Sequence, residues 1–128
     1  MVDISFTDRE LDVMAVLWER GASTVAEVRE CLADPLAYTT VLTILRTLEA
    51  KGYVAHTEEG KAHRYAPLVA RERAGQSALT QVLDKIFGGS REMLLANLVR
   101  ERGIDEAELE RLREVLESRL QGKGRTRK

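Results

Sequence analysis

The sequence has few of the residues that build disulfide frameworks, cysteine-based metal sites and membrane spans. A single cysteine among 128 residues excludes an internal disulfide and any multi-cysteine metal cluster. No apolar stretch approaches the roughly 20 residues that a membrane-spanning helix needs. Residues 1–6 lack the basic start and the apolar run of a signal peptide. These absences predict a cytoplasmic protein.

An excess of positive charge is missing as well. The chain is 44% hydrophobic and 32% charged with a formal net charge of −1, which is typical of a soluble, helix-rich globular protein. Residues 1–68 contain eleven acidic and seven basic side chains, a balance of −4, although eight of the acids precede residue 38. Any binding of nucleic acid must therefore depend on where the basic side chains lie.

Two helix starts are visible near the beginning of the chain. Thr7 with Glu10, and Thr24 with Glu27, have the spacing of a capping box, in which each side chain satisfies a free backbone N–H at the helix start. Cys31 is predicted to be a small core residue of the second helix rather than a nucleophile or a ligand. The positions predicted to face the core are Leu11, Met14, Ala15, Leu17 and Trp18 in the first helix and Val25, Val28, Cys31 and Leu32 in the second.

A third helix is predicted over residues 39–51, and its two faces differ in chemistry. One face carries apolar side chains at helical spacing, namely Val41, Ile44, Leu45 and Leu48. The opposite face is rich in threonine, a poor helix former, where a helix that only needs to be soluble carries glutamate and lysine. This pattern predicts a recognition helix that enters a DNA groove. A third packing helix with a polar back is the alternative.

A change to strand-like alternation after Gly52 predicts a β-hairpin. Residues 53–57 and 62–66 flank a polar turn that contains Gly60, and Pro67 limits further strand pairing. Three helices followed by a hairpin predict a mainly α fold with a small β-hairpin, the winged helix-turn-helix, followed by a helical dimerisation region.

Catalytic and metal-binding chemistry is not predicted. His56 and His63 lie in the hairpin, but the sequence shows no cysteine and no acidic residue at ligand spacing with them, so neither a metal site nor a cofactor is expected. The chain shows no nucleophile–base pair, no phosphate-cradling glycine loop and no carboxylate cluster, so an enzyme is not expected. A winged-helix module that binds protein instead of DNA stays as the rival, because residues 1–68 are acidic overall.

The predicted DNA contacts lie on the third helix and the hairpin. Hydroxyls can bond to base edges, methyl groups can meet thymine methyls, and an arginine can pair with guanine. The side chains expected to face the bases are Thr39, Thr40, Leu42, Thr43 and Arg46. Those expected to contact the DNA backbone are Tyr38, Lys51, Lys61, His63 and Arg64. In a two-fold symmetric dimer the half-sites would lie about 10 bp apart or a multiple of that spacing.

Three further amphipathic helices are predicted after the hairpin. A small winged-helix unit (residues 1–68) cannot cover all their apolar faces, so residues 69–121 are predicted to pair with a second copy of the chain. A self-contained helical subdomain is the alternative, and residues 122–128 are predicted to form a basic, disordered tail. The side chains expected at the dimer interface are Leu79, Leu83, Phe87, Leu94, Leu98, Leu109, Leu112 and Leu116.

Ordered stretches along the chain resemble a known family. The resemblance to the penicillinase-repressor (BlaI/MecI) family of bacterial winged-helix repressors rests on TDRELDVMAVLWERG, TVAEV, YTTVLTILRTLEAKGYV and HRYAP, and continues through FGGS and LLANLV to about Leu120. It implies a homodimer that binds a palindromic operator in double-stranded DNA and blocks transcription.

The resemblance also implies a mode of release. Family members are often inactivated when a membrane-bound sensor metallopeptidase, triggered by β-lactam, causes cleavage of an Asn-Phe bond in the dimerisation region. The matching bond here is Asn97–Leu98, with leucine in place of phenylalanine. The copper-responsive branch uses a C-terminal cysteine cluster that this sequence lacks, so copper sensing is not expected. Leu42 stands where well-known members carry a basic residue, so their operator sequence does not transfer.

Overall fold

The computed structural model describes residues 4–126, which form six helices and three short strands. In chain order these are α1 (Asp8–Arg20), β1 (Ser23–Thr24), α2 (Val25–Cys31), α3 (Tyr38–Ala50), β2 (Val54–Glu59), β3 (Ala62–Pro67), α4 (Arg71–Lys85), α5 (Arg91–Val99) and α6 (Glu106–Thr126). The chain divides into two compact units, Met1–Thr80 and Gln81–Lys128. The expected domain boundaries after residues 68 and 121 stay a prediction.

The first unit has the winged-helix arrangement that the sequence predicts. Helices α1, α2 and α3 pack around one core, and β2 and β3 form an antiparallel hairpin, here called the wing. At its tip Gly60 has a φ of 62°, which allows a two-residue turn with Lys61. The sheet has a third strand, because β1 pairs with β3 in the order β1-β3-β2. A strand of two residues is too short to show an alternating pattern, so sequence periodicity misses it.

Both predicted capping boxes are confirmed. At the start of α1 the Glu10 amide donates to Thr7 Oγ1 over 3.2 Å, and the Thr7 amide donates to Glu10 Oε1 over 2.9 Å. At the start of α2 the Glu27 amide donates to Thr24 Oγ1 over 3.2 Å, and the Thr24 amide donates to Glu27 Oε1 over 3.0 Å. These reciprocal bonds satisfy backbone groups that a helix start otherwise leaves without partners.

The core of the first unit joins the three helices to the wing. The core packs against the apolar face of α3, so burial of that face determines which face of α3 is exposed to solvent. The buried apolar side chains are Val13, Met14, Val16, Leu17, Val25, Val28, Val41, Leu45, Leu48, Val54 and Tyr65.

Three predicted core positions are wrong. In α1 the buried stripe is centred on Val13 and Leu17, which turns Leu11 and Ala15 towards solvent, and Leu11 is 41% exposed. Cys31 is also exposed. It lies about 90° around the helix from the middle of the Val25–Val28 stripe, so it reaches only the rim of the buried face.

Glycines and side-chain caps separate the three helices that follow the wing. Gly88 and Gly89, with φ of 58° and 83°, separate α4 from α5. Ser90 caps α5 by accepting from the Met93 amide over 3.1 Å, and Asp105 accepts from the Glu108 amide over 2.8 Å at the start of α6. Helix α6 extends to Thr126 and residues 127–128 lie outside the described residues, so the expected disordered tail stays a prediction. Within residues 4–126, no helix is both long enough and apolar enough to cross a bilayer.

Candidate nucleic-acid interface

Helix α3 presents an exposed polar face opposite its buried one. Val41, Leu45 and Leu48 are fully buried. The expected base-reading residues Thr39, Thr40, Thr43 and Arg46 are exposed. Leu42 differs from them because its half-buried side chain packs against the core, so only part of it is available to a ligand.

Two threonine hydroxyls of α3 donate hydrogen bonds to backbone carbonyls of the same helix. Thr43 Oγ1 donates to the Thr39 carbonyl over 2.9 Å, and Thr47 Oγ1 donates to the Thr43 carbonyl over 2.9 Å. These bonds use the hydroxyl proton and leave oxygen lone pairs and methyl groups for other contacts. The face therefore offers hydrogen-bond acceptors and small apolar groups, a combination that suits adenine or cytosine amino groups and thymine methyls.

The start of α3 lacks the side-chain cap that α1 and α2 possess. The residue before the helix is Ala37, which provides no side-chain hydrogen bond and only accepts from the Thr40 and Val41 amides through its carbonyl. The first amides of a helix carry partial positive charge and suit an anion such as a phosphate. Tyr38, an expected backbone contact, lies at this end with 47% of its surface exposed.

Two of the expected DNA-backbone contacts are held in ion pairs within the protein. Lys51 Nζ lies 2.9 Å from Glu10 Oε1, and only 6% of the Glu10 side chain is exposed. Arg64 bonds to Glu27 Oε1 over 3.2 Å and to Glu59 Oε1 over 2.9 Å. Both basic side chains thus neutralise acids of the winged-helix unit, and less of their charge is available to phosphates. Sequence spacing cannot show this, because Lys51 and Glu10 are 41 residues apart.

The pKa values of the partner acids reflect these pairs. Burial acts to raise the pKa of Glu10, but the hydrogen bonds from Lys51 and from the Thr7 amide, with the Lys51 charge, lower it overall. The Thr24 amide lowers the pKa of Glu27, and the charges of Arg64 and Arg20 act in the same direction against its desolvation. Both carboxylates are therefore ionised partners of the basic side chains at neutral pH.

The tip of the wing carries the remaining expected backbone contacts. Lys61 is exposed there, and among residues 4–126 the basic side chains with a carboxylate within 4.0 Å include neither Lys61 nor Arg46. His63 is half-buried and stacks on His56, with ring centroids 4.3 Å apart and planes 14° from parallel. Lys61 and Arg46 are therefore the cations of this surface that are not already balanced by a carboxylate.

One side of the wing gathers ionisable side chains against α3. His56 Nδ1 lies 2.7 Å from Glu49 Oε2, and His63 Nε2 lies 3.9 Å from Glu58 Oε2. The expectation that no acidic residue lies at ligand spacing with the histidines is wrong, because the strand register sets Glu58 opposite His63. Possible ligand atoms of His56, Glu58 and His63 all lie within 4.8 Å of one another.

Tyr65 lies beside His56 and His63 on the wing, and its side chain is buried. Burial raises the pKa of its hydroxyl, the charge of Glu49 adds to that effect, and Arg46 acts against it. Tyr65 therefore lies within electrostatic reach of both Glu49 and Arg46, a proximity that sequence periodicity does not reveal.

The sequence and the fold both match known proteins. The family model described as penicillinase repressor matches residues 6–118. The chain belongs to this family. The transcriptional regulator BlaI of Mycobacterium tuberculosis is 42% identical over 108 residues, covering 79% of this chain and 76% of that protein. The penicillinase repressor of Bacillus licheniformis is 25% identical over 113 residues, covering 87% of this chain and 88% of that protein.

The winged-helix fold has a wider likeness. A MarR family protein from Bacillus stearothermophilus matches with a TM-score of 0.52 and 21% identity, covering 94% of this chain and 77% of that one. The penicillinase-repressor family consists of DNA-binding transcriptional regulators and not of enzymes.

The residues expected at a dimer interface differ in their exposure. Leu79, Leu98, Leu109 and Leu116 are 52%, 46%, 40% and 49% exposed, whereas Leu83 is buried. The others, Phe87, Leu94 and Leu112, are half-buried. Helices α4 to α6 thus leave a series of large apolar side chains accessible to solvent, and their place in a dimer interface stays a prediction.

The expected cleavage bond lies inside a short helix. Asn97 and Leu98 belong to α5, where Asn97 Nδ2 donates to the Met93 carbonyl over 2.9 Å. No residue of α5 is fully buried. Isolated helices of this length are marginally stable in water, so α5 depends on packing against other elements for its stability.

Proposed function

We propose that this protein is a sequence-specific transcriptional repressor that binds a palindromic operator as a homodimer. The observation that carries the proposal is the exposed face of α3, with Thr39, Thr40, Thr43 and Arg46 above a fully buried opposite face. Membership of the penicillinase-repressor family supports the same conclusion. A repressor of this kind acts on DNA in the cytoplasm.

Arg46 and the exposed threonines of α3 recognise the bases. Arg46 pairs with a guanine, an interaction that provides about 1–3 kcal/mol of discrimination against other bases. The Thr43 hydroxyl accepts from a base amino group because its proton is already bonded to the Thr39 carbonyl. Leu42 contributes through the part of its side chain that is not packed against the core.

Contacts to phosphates position the helix in the groove. The uncapped start of α3 and the exposed Tyr38 meet one phosphate, and Lys61 at the wing tip meets another. Lys51 and Arg64 contribute less than their charge suggests, because each already pairs with glutamates. Each neutralised phosphate adds about 0.9 to the steepness with which the logarithm of the binding constant falls against the logarithm of the salt concentration. We expect few effective phosphate contacts per protomer and therefore a shallow slope.

Two copies of the chain associate through α4 to α6. Exposed leucines on these helices, among them Leu98, Leu109 and Leu116, become buried when the partner covers them. Burial of apolar surface stabilises the pair by roughly 25 cal/mol per Å². The dimer then presents two α3 helices to half-sites separated by about one helical turn of DNA, or a multiple of it.

Release follows cleavage within the dimerisation region. Local unfolding of α5 exposes the Asn97–Leu98 bond, and a system governed by a membrane sensor metallopeptidase supplies the protease activity. Loss of the segment after residue 97 removes α6, and with it the interface leucines Leu109 and Leu116, so the dimer separates and leaves the operator.

Selection of bound duplexes from a random pool tests the function. The full chain is mixed with randomised double-stranded DNA, and bound sequences are recovered over several rounds in increasing salt. We expect a dyad-symmetric consensus with a fixed distance between half-sites. Failure to enrich any sequence contradicts the repressor proposal and favours the rival, a winged-helix module that binds protein.

A further inference from the structure

We infer that the side of the wing that meets α3 carries a binding site for a divalent transition-metal ion, formed by His56, His63 and Glu58. Possible ligand atoms of the three side chains lie within 4.8 Å of one another. Two imidazole nitrogens and one carboxylate oxygen are a ligand set that suits Zn²⁺ and similar borderline ions. Three protein ligands leave a fourth position for water.

Glu49 prepares His56 to act as a ligand. Its carboxylate lies 2.9 Å and 2.7 Å from His56 Nδ1 through its two oxygens. An ionised carboxylate only accepts hydrogen bonds, so in the neutral tautomer that fits this contact Nδ1 carries the proton and Nε2 has the lone pair that can bind a metal. A carboxylate on the second nitrogen is the usual partner of metal-binding histidines, because it fixes both the tautomer and the orientation of the ring.

His63 and Glu58 complete the site from neighbouring strands. They lie directly opposite each other, and His63 Nε2 is 3.9 Å from Glu58 Oε2, beyond hydrogen-bond distance. Ligand atoms about 2.1 Å from a tetrahedral ion lie about 3.4 Å apart, so a modest side-chain rotation closes the difference. The stacked rings of His56 and His63 must also turn out of parallel so that both point at one ion.

The same contacts also admit an explanation without a metal. Glu49 and the stacked histidines could serve only to hold the wing against α3, and the two explanations differ in whether metal affinity depends on these side chains.

An ion can enter from solvent, because 29% of the His56 side chain and 40% of the His63 side chain are exposed. The chain contains two histidines in total, so any imidazole-dependent binding reports on this site alone.

Calorimetric titration of the full chain with Zn²⁺, without DNA, tests the site. We expect one ion per chain for the unaltered protein, binding at least 10-fold weaker for His63→Gln, and about 10–100-fold weaker for Glu49→Gln, since Glu49 orients a ligand without being one. Glu59→Gln is the matched control, because Glu59 belongs to the same strand as Glu58 but pairs with Arg64. It should bind Zn²⁺ as the unaltered protein does.

Two checks make the outcome unambiguous. Circular dichroism of each variant establishes that it is folded, and Cys31→Ser removes the single thiol and should leave the affinity unchanged. Absence of saturable Zn²⁺ binding, or equal affinity in His63→Gln, Glu49→Gln and the unaltered protein, overturns the inference. Because no DNA is present, such a result leaves the proposed repressor function unaffected.

Discussion

The pair formed by Lys51 and Glu10 ties the end of α3 to the start of α1, and its removal has a calculable effect. Lys51→Met retains the aliphatic stem and deletes the ammonium group. A hydrogen bond to a charged group contributes about 1.5–3 kcal/mol. Since 35% of the Lys51 side chain is exposed and screened by water, we expect a loss of about 1–2 kcal/mol in the free energy of unfolding.

Trp18 provides the assay. It is the single tryptophan of the chain and donates to the Val69 carbonyl over 2.8 Å within the first unit, so its fluorescence reports the unfolding of that unit. Urea titrations of Lys51→Met are compared with those of Lys61→Met, which alters an exposed lysine at the wing tip. We expect Lys61→Met to match the unaltered protein within about 0.5 kcal/mol.

The pH dependence of this difference follows from Glu10. The pKa of Glu10 in the folded protein lies below the ordinary value of 4.5 for a glutamate, so the pair stabilises the fold fully above that value and loses its effect as pH falls through the folded pKa. The difference between Lys51→Met and the unaltered protein should therefore shrink in acid. Equal stability of the two proteins at neutral pH would refute the structural role of Lys51.

Two further predictions concern the exposed side chains. Leu116→Asp places a charge on an apolar interface, so sedimentation should show a monomer where the unaltered chain is a dimer; a dimer that survives would contradict the assigned surface. Cys31→Ser should change the free energy of unfolding by less than about 0.5 kcal/mol, and a thiol reagent should modify Cys31 in the folded protein. Protection of Cys31 would contradict its exposure.

Local features of the fold could be predicted because they depend on a few neighbouring residues. Each capping box joins residues three apart, as Thr7 and Glu10 are, and the buried face of α3 follows from helical spacing. The same periodicity misjudged Leu11 and Cys31. Helical periodicity predicts the width of the apolar stripe on a helix. Which edge of that stripe is buried depends on how the neighbouring helices pack against it.

Features that join distant parts of the chain could not be predicted. The charges of Lys51 and Arg64 suggested phosphate contacts, yet the fold brings each to a glutamate far away in the sequence. The meeting of Glu58 with His63 depends on strand register, and that register depends on the two-residue turn at Gly60.

The most direct test of the account is the specificity of Arg46→Ala. Its affinity for the selected operator and for an unrelated duplex is measured at several salt concentrations, with Lys61→Ala as the control. We expect Arg46→Ala to lose about 1–3 kcal/mol on the operator alone, whereas Lys61→Ala weakens binding to both duplexes and reduces the salt slope by about 1. Unchanged discrimination by Arg46→Ala would contradict the claim that the exposed face of α3 reads the operator.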